Sequence, residues 1–165
     1  ERIWSKVGMT DTTFTVPADK RSRLAKPLPI DPITGKPQSV RLLNEQPKME
    51  CGGACALSTA ADYLRFGQML LNGGELDGAR IVGPRTLAMM HMNHLKDGQD
   101  LTQTAVGAFS ETSNSGVGFG LGFAMVMDQV AAGVLGQGDY YWGGAASTIF
   151  SRHSLACSSR SARIG

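Results

Sequence analysis

No apolar run in this sequence approaches the roughly twenty residues that a helix needs to cross a bilayer, and no basic-then-apolar leader opens it. No membrane span is expected, and the compartment, periplasmic or cytoplasmic, is left open. Cysteine is scarce: Cys51, Cys55 and Cys157 are an odd set whose spacings make no disulfide framework. Cys51 and Cys55 are close enough to pair in an oxidising compartment, and equally suit two buried thiols. The last fifteen residues contain no acid but hold Arg152, Arg160 and Arg163. Without those three, the 16 bases become 13 against 14 acids, so the body of the chain is near neutral and carries no nucleic-acid footprint.

Several catalytic devices are missing as well. The sequence has no Gly-x-Ser-x-Gly elbow, no His-Glu-x-x-His and no phosphate-binding loop. Glycines 116, 118, 120 and 122 lack dinucleotide spacing and lie within an extended pattern, so no cofactor is expected. His91 and His94 stand three apart, but with Cys51 and Cys55 they match no zinc spacing, and no metal site is expected. A Ser-His-Asp triad has no spacing to test, because its members meet only in space.

What is present suffices for one domain: 165 residues, 42% hydrophobic and 18% charged. Prolines at 17, 27, 29, 32, 37 and 47 make residues 17–48 a long irregular excursion, either an inter-lobe linker or the edge of a functional cleft. The most secure helix follows. Thr59 is placed to cap it with Asp62 three residues on, and Ala60, Tyr63, Leu64, Gly67, Leu70 and Leu71 form an apolar stripe that predicts burial, Tyr63 included. Asn72-Gly73-Gly74 ends the helix. Pro84 opens a second helix with Leu87, Met90 and His94 on one face, and residues 97–115 read as a surface loop.

From Val117 to Met127 bulky residues alternate with Gly118, Gly120, Gly122, Ala124 and Val126, which predicts one strand with a bare face that another backbone, a helix or a ligand approaches closely. After a small-residue turn over 131–138, residues 139–150 read as its antiparallel partner, thinning at Gly143-Gly144.

Four blocks then carry a resemblance. Residues 6–14 (KVGMTDTTF), 52–74 (with GGA, STAAD and FGQMLLNGG), 118–123 (GFGLGF) and 142–145 (WGGA) resemble, in order, segments of the serine β-lactamase-like hydrolases. That family comprises class C β-lactamases, D,D-peptidases and family VIII carboxylesterases, and the esterase-like branch is the most similar. The resemblance implies an α/β (α+β) fold, an antiparallel sheet packed with helices, here incomplete. It also implies a serine acyl hydrolase acting on a small-molecule ester or amide. Trp142 would line the acyl pocket, Gly143 and Gly144 would let substrate lie against the strand, and the Ala145 backbone N–H would be one oxyanion donor. Ser147 or Thr148 would touch substrate only if the strand register allowed it.

The chain departs from the family in two places. No Ser-x-x-Lys and no Tyr-x-Asn occurs anywhere in it, so the nucleophile and its base are absent. Trp142 stands where the lactamases have a lysine, which removes a cation for a β-lactam carboxylate and favours ester hydrolysis. Residues 1–150 are therefore expected to be the C-terminal part of a β-lactamase-like domain, inactive alone and a partner for a missing N-terminal half. The alternative is a non-catalytic module that binds a ligand or partner along the glycine-faced strand. Residues 151–165 have a disordered-tail composition or follow a reading-frame slip, and recovery of an apolar strand in another frame of the encoding DNA would distinguish these.

Overall fold

The computed structural model describes residues 2–25, 28–30, 34–37, 56–104, 106, 114–134, 136–144 and 148–152. The chain divides into two units, 1–66 and 67–165, with the division falling inside the first helix.

In the first unit Val7, Met9 and Val16 are buried, and the Trp4 and Phe14 rings pack 5.0 Å apart. Thr13 and Leu57 exchange both backbone hydrogen bonds, at 2.9 and 2.8 Å. The proline-rich excursion is not wholly irregular: Ala18–Arg23 is a 3-10 helix, and Ile30 bridges Pro37.

Helix α1 spans Ala60–Leu71. Its start follows the predicted cap, since Asp62 N–H donates to Thr59 Oγ1 at 3.2 Å. Its end follows as well, with Gly74 N–H donating to Met69 O and Gly73 N–H to Leu70 O, a Schellman pair. Its expected stripe is a correction. Leu70 of that stripe is buried, but Tyr63 is 42% and Leu64 73% exposed, while Asp62 and Met69, outside it, are buried. The helix turns a different face inward because Asp62 and Arg65 both have backbone to bind there. Asp62 Oδ2 accepts from Asp11 N–H (2.7 Å) and Thr12 Oγ1 (2.8 Å), and Arg65 Nε donates to Val7 O (2.5 Å).

In the second unit β1 (Glu75–Leu76) and β2 (Ala79–Arg80) form a small antiparallel pair. Helix α2 (Pro84–Met90) follows, with Pro84 in its first turn and Leu87 buried, whereas His94 is exposed and is not part of its buried face. The expected surface loop contains a short helix, α3 (Leu101–Thr104), whose Leu101 joins Val117 and Ala124 in the core. Helix α4 (Gln129–Ala132) is capped by Asp128, whose carboxylate accepts from Val130 and Ala131 N–H.

The main sheet runs β3 (Val117–Phe119), β4 (Ala124–Val126), β5 (Tyr140–Gly144), β6 (Thr148–Arg152), antiparallel throughout and in that order. Two expected strands are thus each divided. Residues 117–127 form a hairpin, pairing Val117 with Val126 and Phe119 with Ala124. Gly122 at φ +95 supplies the left-handed conformation that the reversal needs. Residues 139–150 likewise divide, because Gly143 and Gly144 weaken the strand and the chain has reversed by Thr148, which pairs with Gly144. The expected pairing of the two segments holds between β4 and β5, Ala124 with Tyr141 and Met125 with Tyr140. Strand β6 runs to Arg152, two residues beyond the expected end of the domain.

Candidate functional site

The β4 register with β5 ends at Tyr141, whereas β6 pairs with β5 along Tyr140–Gly144. Trp142, Gly143 and Gly144 therefore lie past the end of β4, which has turned away through residues 120–123. The strand carrying them is internal to the sheet order, between β4 and β6.

Trp142 is 36% exposed and meets Phe119 edge-on, with centroids 4.8 Å apart at 81°. Phe119 in turn packs against the Leu101, Val117 and Ala124 cluster. Tyr141 is partly buried, and burial pushes its phenol above the ordinary value. On the neighbouring position Tyr140 is buried, stacked on His91 at 3.6 Å with Phe123 edge-on at 5.2 Å.

The bare-face expectation for the glycines is met at two positions. A Cβ on Gly120 would collide with the Met90 carbonyl oxygen, and a Cβ on Gly118 would lie 2.6 Å from Asn93 Cγ. The approaching backbone is the segment after α2: Leu121 N–H donates to Met90 O (2.9 Å) and His94 N–H to Phe119 O (2.8 Å). Asn93 is a residue that sequence reasoning missed. Its Oδ1 accepts from Phe119 N–H and Leu95 N–H, both at 3.1 Å, and its Nδ2 donates to Gln99 O at 2.8 Å. Its only trace in the sequence is the glycine at 118 that makes room for it.

Of the expected site residues, the structure brings Trp142, Gly143 and Gly144 together on β5. Thr148 stands opposite Gly144 on β6, not further along the same strand. Ala145 and Ser147 lie outside the described residues, as do Cys51 and Cys55. His91 packs on aromatics, and the His94 ring nitrogen is 2.8 Å from Met89 O. Among the described residues no cluster of His, Cys, Asp or Glu has the makings of a metal site. Among them, too, no helix is long and apolar enough to cross a membrane.

The first unit has a cleft of its own, about 290 Å³, lined by Val16, Leu24 and Leu57 and by Asp11, Lys20 and Arg23. Asp11 binds both cations, and these hydrogen bonds, Arg23 first and Lys20 second, draw its carboxyl down from 3.8 to about 2. The cations are thereby neutralised in part, and sequence reading had given none of the three a role.

Comparison with known proteins agrees with this architecture. The chain is 34% identical over 160 residues to Protein Rv1367c of Mycobacterium tuberculosis (strain ATCC 25618 / H37Rv), covering 90% of this chain and 37% of that protein. The same values hold for Uncharacterized protein MT1414 of the CDC 1551 / Oshkosh strain. The chain thus spans little more than a third of the length of these relatives. Among solved structures, EstCE1, a hydrolase with promiscuous acyltransferase activity, superposes with a TM-score of 0.65 at 22% identity, over 93% of this chain and 41% of that one. At that identity the likeness speaks for the fold. The Beta-lactamase family profile matches residues 1–152, from the KVGMTDTTF segment to the end of β6. Four motifs in order, an antiparallel sheet packed with helices and this match together place the chain in the beta-lactamase family of serine hydrolases.

Proposed function

We propose that this chain supplies one wall of the acyl pocket of a serine ester hydrolase whose nucleophile and base lie in sequence outside it. The observation that carries this reading is Trp142, partly exposed against Phe119 at the point where β4 has left β5. An indole there offers an apolar surface to an acyl group. Gly143 and Gly144 present backbone without side chains, so a substrate can approach their amides. The family motif assigns the Ala145 N–H as an oxyanion donor, the kind of group that stabilises charge developing on the tetrahedral intermediate. The absence of Ser-x-x-Lys and Tyr-x-Asn from the sequence supports assigning the attacking hydroxyl elsewhere. A tryptophan in place of a cationic side chain favours esters over β-lactam carboxylates. The description of EstCE1 as a hydrolase with acyltransferase activity fits the same chemistry.

The test is p-nitrophenyl acetate and butyrate hydrolysis by this chain alone and together with the upstream region of the encoding gene. No turnover alone and turnover on combination are expected, with Trp142→Ala lowering kcat/KM about tenfold to a hundredfold. Combination without any activity would instead favour a ligand-binding module on the same fold.

A further inference from the structure

We propose that Phe119 is a positioning residue for Trp142, and that Asn93 holds it there through a gap kept open by Gly118. The main chain of Phe119 is gripped at both of its polar groups by consecutive residues. Its N–H donates to Asn93 Oδ1 at 3.1 Å, and its C=O accepts from His94 N–H at 2.8 Å. The Asn93 amide is itself fixed at both ends, by Leu95 N–H on the oxygen and Gln99 O on the nitrogen. A side chain with all these partners resists rotation, so the backbone it holds is fixed too.

The Phe119 ring then joins two bodies, the Leu101, Val117 and Ala124 cluster and the edge of Trp142. Aromatic edge-to-face contacts have a preferred geometry as well as an area, and this one limits the tilt of the indole. Gly118 makes the grip possible. A methyl there would stand 2.6 Å from Asn93 Cγ and 2.7 Å from its Oδ1, forcing the amide away from Phe119. The functional consequence, that Asn93 and Phe119 set the width of the acyl pocket from outside it, rests on the proposed function. The positioning itself does not.

Trp4→Phe leaves Trp142 as the sole tryptophan of the 165-residue chain, so acrylamide quenching of its fluorescence reads the indole's surroundings directly. In that background Phe119→Leu, which keeps an apolar side chain in the core, should raise the quenching constant about twofold at an unchanged circular-dichroism spectrum. Asn93→Ala and Gly118→Ala should do the same. Asn93→Asp, which retains an acceptor for Phe119 N–H, should recover most of the parent value. Quenching equal to the parent in both Phe119→Leu and Asn93→Ala would overturn the proposal. In the recombined enzyme Phe119→Leu should change the butyrate-to-acetate ratio of kcat/KM about fivefold. If Trp142→Ala leaves that ratio untouched while the quenching effects stand, the acyl-pocket reading fails and the positioning survives.

Discussion

Asp62 on α1 accepts the backbone N–H of Asp11 at 2.7 Å across a separation of 51 positions in the sequence. The same oxygen takes the Thr12 hydroxyl at 2.8 Å. The GMTDT and STAAD segments, separate blocks in the sequence, are one hydrogen-bonded unit. Asp62 thus makes half of a capping box: its N–H meets Thr59, but its carboxylate turns to the N-terminal segment instead of back to the cap.

Removal of that carboxylate should loosen the first unit. Asp62→Ala removes the acceptor of the part-buried Asp11 N–H and one partner of the Thr12 hydroxyl, and a loss of about 2–3 kcal/mol is expected from hydrogen bonds to a carboxylate. Thr12→Val removes one of them, and should lose about 1 kcal/mol. Urea unfolding with an unchanged m-value checks both.

Acid should release the Asp11 clamp. Arg23 and Lys20 lower the Asp11 carboxyl to about 2, so the folded state holds the proton more weakly than the unfolded chain, where the value is 3.8. A group depressed in this way contributes stability above its unfolded value and loses it as pH falls towards the folded one. The contribution is expected in full above about pH 5 and gone near pH 2, and it should shrink with added salt because both cations are partly exposed. Carboxyl-carbon NMR titration of Asp11 reads the midpoint, and Arg23→Gln should move it upward.

Two glycines of the GFGLGF segment should fail for different reasons. Gly120→Ala puts a methyl into the Met90 carbonyl, an overpacking expected to cost about 1–3 kcal/mol. Gly122→Ala meets nothing within 4 Å but sits at φ +95, and should cost about 1–2 kcal/mol from backbone strain alone. Thermal unfolding of both, with a crystal structure of the Gly122 variant showing no displaced neighbour, separates the two causes.

The two faces of α1 give an opposite pair of outcomes. Leu64, on the apolar stripe but 73% exposed, should tolerate Leu64→Gln within about 0.5 kcal/mol. Met69→Ala, at 1% exposure, should cost about 2–5 kcal/mol. Equal losses at the two sites would mean that the helix turns the other face inward.

Much of this was legible from local chemistry. Thr59 and Gly73-Gly74 bound α1 because capping is decided by residues within one turn of the end. The alternate glycines predicted a close approach, which Gly118 and Gly120 show, whereas Gly122 serves the turn at φ +95. The tryptophan and two glycines of β5 were readable through the family motif. Less was legible where period alone had to decide. An unbroken two-residue alternation from Val117 to Met127 is the same pattern whether the strand runs straight or doubles back at Gly122. Only the β3–β4 register distinguishes these.

The sequence by itself determined the family, the ends of the principal helix and that no Ser-x-x-Lys occurs in these 165 residues, since each depends on residue identity at fixed local spacing. Tertiary structure alone decided which face of α1 is inward, that β5 has neighbours on both sides, and that Asn93 grips Phe119 behind Trp142. Those relations join residues far apart in the chain, and hydrogen bonds between distant groups leave no periodic mark on the sequence. What fixes them is the geometry in which buried polar groups such as the Asp62 carboxylate and the Asn93 amide meet their partners.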